Sequence, residues 1–258
     1  MVIAVEEWRP WYEHIAGLLK LDRSRDEQAA ELLSRMLKDR GLGPKDVEAI
    51  VKGRVAVIFG AGPSLREDVL KLAENRLLNR CVLVAADGAT SALLNLVDTT
   101  PHLIITDLDG RLNDLLRASR RGAIMVVHAH GDNLRRVERV VPKLKMVLGT
   151  TQTEPKPHVY NFGGFTDGDR AVFLALAMGA RSIGLVGMDL GVEIGEYSKP
   201  KYSYERKVLK LKICRELLEW LATKTTTPLY NLTSHGEQIR GYRSIEPKEF
   251  LRLIEGKV

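Results

Sequence analysis

The 258-residue chain has little of what would set it apart from ordinary globular enzymes. Its 2 cysteines, Cys81 and Cys214, are far apart and lack a CxxC spacing, which argues against a disulfide framework and against a thiolate zinc site. Buried thiols in a reducing compartment are expected. Aromatic residues make up only 6% of the chain, and no recognised motif interleaves them with basic residues. The net charge of +6 therefore suggests solvated faces and attraction for anions such as nucleotides, rather than a nucleic-acid surface. No apolar run is long enough to cross a bilayer, and the start, MVIAVEEWRPWYEH, lacks the basic-then-apolar order of a secretory signal. A cytoplasmic protein with no membrane or nucleic-acid partner is the expectation. Fixed-period repeats and low-complexity linkers are also missing.

What the chain does contain divides at about residue 52. Residues 1–52 read as a helical N-terminal cap, with Ala29, Leu32, Leu33, Met36 and Leu37 at helical spacing until Gly41, Gly43 and Pro44 break the pattern. No chemistry is visible in that segment. From Arg54 onward short β-rich runs (VAVIF, CVLVAA, HLIIT, AIMVVH, KMVLG, HVYNF, SIGLVGM, PLYNL) alternate with helical ones. Residues 53–258 are thus expected to form one α/β nucleotide-binding domain, a doubly wound, mostly parallel, Rossmann-like sheet. Ligands of such sheets bind where loops converge at the carboxyl ends of the strands. The stretch GVEIGEYSKPKYSY, residues 191–204, suggests a mobile loop over bound substrate.

Polar motifs fall at those strand ends. GAGPSL places Gly60, Gly62, Pro63 and Ser64 after the first strand, with Ser64 and Glu67 spaced as a capping box, so a helix N-terminus with free N–H groups is expected to face phosphate there. The bland alternative is a tight turn. A dinucleotide fingerprint would use Asp87 for the ribose, but Leu65 stands where its third glycine belongs. Asp87 and the pair Asp107 and Asp109 of TDLDG end neighbouring strands. Alternate residues of an extended chain point the same way, so the pair should lie side by side and need a hard cation with oxygen ligands. Capping and turn formation explain one such acid more easily than all of them. VVHAHGDN brings His128 and His130, then Asp132; Asn133 replaces the final histidine of an HxHxDH zinc signature, leaving contact with phosphate or substrate, or hydrogen bonding inside the loop. Further on, Gly163, Gly164 and Gly168 suggest close backbone approach to the cleft. Gln152, Asn161 and Thr166 could read a heterocycle, Asp167 or Asp169 could cap the following helix, and Asp189 could serve as turn residue or ligand.

In this order GAGPSL, AADGAT, PHLIITDLDG, HAHGDN, NFGGFTDGDRA and GMDLG resemble the archaeal-type 6-hydroxymethyl-7,8-dihydropterin pyrophosphokinases, over residues 54 to about 191. The resemblance implies Mg²⁺-dependent transfer of a pyrophosphoryl group from ATP to the hydroxymethyl arm of a reduced pterin, releasing AMP, on a route to folate-like or methanopterin-like cofactors. It implies metal ligation by Asp107 and Asp109, with Asp87 assisting. His128 and His130 are then assigned to the catalytic centre, Gly60, Gly62, Pro63, Ser64, Asp87 and Asp132 to the nucleotide, and Gln152, Asn161, Gly164, Thr166, Asp167 and Asp189 to the pterin. Basic residues between Lys199 and Lys207 are secondary candidates, and no convincing general base is evident. Thiamine pyrophosphokinases are more distantly similar, but Gly110 stands where they usually carry serine; by analogy with them a homodimer is expected. Nucleotide-sugar-dependent glycosyltransferases with an Asp-x-Asp metal site and a non-catalytic nucleotide sensor are the alternatives.

Overall fold

The structure, a computed structural model, describes residues 3–198 and 203–256. Each apolar run forms a strand: β1 (Val55–Phe59), β2 (Val82–Ala86), β3 (Leu103–Thr106), β4 (Ile124–His128), β5 (Met146–Thr150), β6 (Val159–Tyr160), β7 (Ser182–Val186) and β8 (Leu229–Asn231). A further short strand, β9 (Arg243–Ser244), extends one edge; both its residues are exposed, so no apolar signal marked it. Among the described residues all strands pair in parallel, in the order β6-β5-β4-β3-β2-β1-β7-β8-β9.

The runs are apolar throughout because both faces of the sheet are covered, so successive side chains enter different cores. Ala56, Ile58, Val84, Ile105 and Val126 point to one core, while Val57, Phe59, Leu83, Ile104 and Val127 point to the other. The first core is closed by α1 (Val5–Leu19), α3 (Pro44–Val51), α8 (Asp167–Ala177) and α9 (Tyr204–Ala222). The second is closed by α2 (Arg23–Leu37), α4 (Leu65–Glu74), α5 (Ala89–Leu96), α6 (Leu112–Arg120), α7 (Leu134–Val140) and α10 (Pro247–Ile254). The result is a doubly wound α/β fold. Strand β1 lies between β2 and β7, so the chain winds away from it in both directions and leaves a crevice at the carboxyl edge.

The N-terminal helices belong to both cores. Trp8 of α1 is buried, donates its indole N–H to Gln152 O at 3.0 Å, and meets the Phe173 ring edge-on at 6.2 Å. Helix α2 starts at Asp22, whose carboxylate accepts from Ser24 N and Arg25 N, and it packs on α7 and β5. Gly41 and Pro44 interrupt the helical pattern as expected, but Pro44 then opens α3, where its missing N–H costs nothing. A boundary at residue 52 therefore divides the chain without dividing the cores. No helix among the described residues is long and apolar enough to cross a membrane.

Candidate active site

A cavity of about 570 Å³ opens along the carboxyl edge, from the β1 and β7 ends to the β4 and β5 ends. At its middle lies the turn after β3. Asp107 and Asp109 are not presented by an extended strand, as the sequence spacing suggested. Strand β3 ends at Thr106, and Leu108 adopts φ 66°, a left-handed conformation unfavourable for a branched residue. The turn is held by Asp109 N–H donating to Asp107 Oδ1 (3.2 Å) and Leu108 N–H donating to Thr106 Oγ1 (2.8 Å), while Leu108 itself is buried. This aspartate-centred turn, rather than strand alternation, brings the pair together.

Asp87, at φ 30° beyond β2, completes the group and accepts a hydrogen bond from Thr106 Oγ1. One carboxylate oxygen from each of Asp87, Asp107 and Asp109 lies within 4.8 Å of the others. A Cβ at Gly110 would stand 2.5 Å from Asp87 Oδ2, so glycine there gives the Asp87 carboxylate its room. Burial, and then the charges of Asp167, Asp109 and Asp107, push the Asp87 carboxyl well above the usual range. Asp167, in the first turn of α8, faces the same group; burial and then Asp107 raise it to about 8, against the opposing pull of Arg170. This surplus of negative charge with all-oxygen donors could be relieved by a hard divalent cation.

The β4 end braces the turn. Asn133 is buried and donates to both Asp107 O (3.0 Å) and His128 O (2.7 Å). His130 accepts at Nδ1 from Asp132 N–H (3.3 Å), which leaves Nε2 to donate to Asp107 Oδ2 at 3.2 Å. His128 stacks on His130, with ring centroids 5.9 Å apart, but is buried. Its Nδ1 faces Thr150 Oγ1 (3.3 Å), and its Nε2 accepts from Arg170 Nη2 (3.1 Å). Burial, followed by the Arg170 charge, holds its pKa well below the ordinary imidazole range. The pair thus divides: His130 reaches the acid group, and His128 supports Arg170. Asp132 is at the exposed rim of the cavity.

The turn after β1 differs from expectation. Gly60, Ala61, Gly62 and Pro63 line the cavity, but the N–H groups of Gly60, Gly62, Ser64 and Leu65 go to Val186 O, Gly187 O, the Asp189 carboxylate and Gly62 O. Ser64 Oγ bonds to Asp189 Oδ2 (3.0 Å) and Asp68 Oδ2 (2.9 Å), while Glu67 pairs with Lys71 and His235. The expected capping box does not form, and the chain's own Asp189 occupies the anion position at the start of α4. A Cβ at Gly62 would collide with that carboxylate. Burial raises the Asp189 pKa, opposed by its Ser64 bonds.

The β6–α8 loop also corrects the sequence. Gly163 and Gly164, at φ 84° and 85°, approach Phe173 and Arg170 rather than the cavity. Asn161 spends its amide on Thr153 O and Gly163 N, and neither Asn161 nor Gly164 lines the cavity, whereas Thr166, Asp167 and Gly168 do. The helix cap is Thr166 with Asp169, which accepts from Phe165 N (2.7 Å) and Thr166 N (2.9 Å); Asp167 stays free of that duty.

Three contributions were not foreseen. Arg170 is buried and donates to Phe165 O, Gly164 O and His128. Asp26 of α2, buried at the cavity wall, accepts from Gly131 N (2.8 Å), Tyr12 Oη (2.9 Å) and Gln152 Nε2 (2.7 Å), so the segment read as lacking chemistry fixes a candidate substrate residue. A signal existed, since Asp26 lies three and four residues before Ala29 and Ala30 and so on their buried face. Lys210 of α9 lines the cavity as well. Of the expected covering loop, residues 193–198 line the cavity beside the Gly60 turn; Lys199 and Lys201 lie outside the described residues.

Comparison with known proteins bears on this arrangement. Residues 30–195 match the family model described as 6-hydroxymethylpterin diphosphokinase MptE-like. A protein of Pyrococcus furiosus named 6-hydroxymethyl-7,8-dihydropterin pyrophosphokinase is 50% identical over 223 residues, covering 84% of this chain and 93% of that protein. Proteins of the same name from Methanothermobacter thermautotrophicus and Methanocaldococcus jannaschii are 43% and 38% identical, covering 84% and 85% of this chain and 94% and 96% of theirs. Among solved structures, a Maf glycosyltransferase from Magnetospirillum magneticum superposes with a TM-score of 0.53 at 15% identity, over 89% of this chain and 42% of that one, a likeness of fold alone. With the family model spanning most of the sheet and relatives of such identity aligned along nearly their whole length, the chain belongs to the MptE-like 6-hydroxymethylpterin diphosphokinase family.

Proposed function

We propose that this cavity transfers a pyrophosphoryl group from ATP to the hydroxymethyl oxygen of 6-hydroxymethyl-7,8-dihydropterin, in the cytoplasm, on a route to folate-type or methanopterin-type cofactors. The names of the relatives support the pterin and the reaction class. The convergence of Asp87, Asp107 and Asp109 within 4.8 Å supports a divalent cation and the nucleotide phosphates it would hold. In this transfer the pterin hydroxyl oxygen bonds to the β-phosphorus, the bond from that phosphorus to the α,β-bridging oxygen breaks, AMP leaves with the electron pair, and the hydroxyl proton passes to solvent. These carboxylates fit Mg²⁺, which would supply neutralisation of phosphate charge.

The protein's own groups supply position and field. Asn133 and the His130 Nε2–H fix Asp107, the Leu108 turn fixes Asp109 beside it, and Arg170 places a buried positive charge within the field of Asp167 and Asp107. Gly60, Gly62 and Pro63 line one side of the cavity, and Gln152, locked by Asp26, stands on the other. Transfer of this kind relies on alignment and charge stabilisation, so a strong general base is not needed. Purified protein incubated with ATP, Mg²⁺ and the dihydropterin should yield AMP and the pterin diphosphate. Parallel incubations with thiamine and with a nucleotide-sugar test the other activities, and consumption of either in place of the pterin would overturn the assignment.

A further inference from the structure

Acids and bases enter the cavity from different elements. The sheet edge presents Asp87, Asp107 and Asp109, with Asp167 beside them on α8, whereas the first turns of α9 present Arg206, Lys207 and Lys210. Positions 206 and 210 are four apart, and 207 and 210 three apart, so the three cations share one stripe of the helix. Arg206 Nη1 donates to Leu19 O at 3.1 Å, which ties the start of α9 to the end of α1. Lys210 reaches furthest inward: its Nζ is 5.5 Å from the centre of the Phe165 ring, and it lies in the field of Asp107 and Asp167.

An ammonium taken out of water needs anionic company. In the protein alone the carboxylates provide it. Once a divalent cation engages those carboxylates their pull on the lysine weakens, and a further anion beside it is favoured. A triphosphate supplies one, because it carries more negative charge than a single divalent ion neutralises. Lysine binds phosphate as a mobile point charge, which suits a group that moves between donor and acceptor.

We propose that Lys210, flanked by Lys207, forms the subsite for the pyrophosphoryl part of the nucleotide, with Lys210 contacting the β,γ-diphosphate that is transferred. This rests on the function proposed above and goes beyond it by assigning the cations of α9. If Lys210 served only as a counter-ion for Asp107 and Asp167, its loss would strengthen cation binding and leave nucleotide affinity alone.

The full chain is titrated calorimetrically, in Mg²⁺, with an ATP analogue carrying a methylene between the α- and β-phosphates, and separately with AMP. Lys210→Met should weaken the triphosphate analogue by about 10- to 100-fold while AMP changes by less than about twofold. Lys210→Arg should recover most of the loss. Equal weakening of both ligands, or no selective loss for the triphosphate, overturns the subsite. Should Lys210→Met fail to melt cooperatively, Lys210→Gln, which keeps a polar stem, takes its place under the same criteria. Wild-type protein that binds neither nucleotide would instead remove the function on which the subsite rests.

Discussion

Two turns at the same sheet edge, each joining a strand to a helix, look equally like ligand sites in sequence but differ in charge balance. The turn after β1 is satisfied from within: Asp189 occupies the α4 N-terminus, Ser64 joins it to Asp68, and Asp68 accepts from Gly187 N (3.0 Å) and Ser234 N (3.1 Å). The turn after β3 instead crowds acids together: it gathers Asp87, Asp107 and Asp109 around a left-handed Leu108, where burial and then the neighbouring carboxylates raise the Asp87 pKa. Crowding of three acids at one turn therefore marks a functional turn better than glycine content does.

Substitutions should therefore have opposite consequences at the two turns. Asp107→Asn or Asp109→Asn is expected to lower turnover by roughly 100- to 1000-fold. The same changes should leave the melting temperature equal or higher, because a repelling charge is removed. Near-wild-type turnover in either variant would take the metal away from this turn. At the other turn, Asp68→Ala strands the Gly187 and Ser234 donors and should cost about 2–3 kcal/mol in urea unfolding. Turnover per folded molecule should be maintained; a selective loss of turnover with stability intact would mean the β1 turn is not merely structural.

Much of this contrast was legible in sequence, although its cause was not. The strands could be read because burial on both faces makes them continuous apolar runs, and the acids could be read because they follow those runs directly. Proximity of Asp107 and Asp109 was foreseen through extended-strand alternation, whereas the structure achieves it with an Asx turn and a positive φ at Leu108, which no residue type announces. Phosphate donation by α4 was a fair expectation from Ser64 and the glycines. Asp189 arrives from 125 positions away along the chain to cancel it. Helix α3 and strand β9 escaped notice because one follows two glycines and the other buries nothing. Asp26 and Arg170 were missed for a shared reason: each looks like an ordinary helix charge until the sheet closes over it.

The surplus charge around the β3 turn also makes a pH prediction. Asp167 faces Asp87, Asp107 and Asp109 from the sheet edge, Arg170 on its own helix and Lys210 on α9. Its carboxyl is raised from 3.8 to about 8, so between those values the folded state holds a proton that the unfolded chain has released. Stability then falls as pH rises through that window. His128, lowered in the fold, works in the opposite direction as it titrates, so the difference between variants is the useful quantity. In chelator-treated protein, the stabilisation gained by Asp167→Asn over wild type should grow from about pH 5 to about pH 8. A gain that stays constant or shrinks would place Asp167 outside the charge cluster.

The smallest expected effect tests how finely the β3 turn is shaped. Gly110 has no side chain where the Asp87 carboxylate passes, and an added methyl would press on Asp87 Oδ2 at 2.5 Å and Oδ1 at 3.0 Å. The obstructed group is the end of a side chain rather than backbone, so Gly110→Ala should fold and melt close to wild type, with Asp87 turned aside. Because Asp107 and Asp109 remain, divalent binding should weaken by about tenfold instead of vanishing, the scale seen when an outer support of a metal ligand is lost. Manganese titration read by electron paramagnetic resonance measures this directly. Unchanged affinity would show that Asp87 does not reach the ion and that the Asp107 and Asp109 pair suffices; a complete loss would mean that Asp87 holds the ion as firmly as the pair.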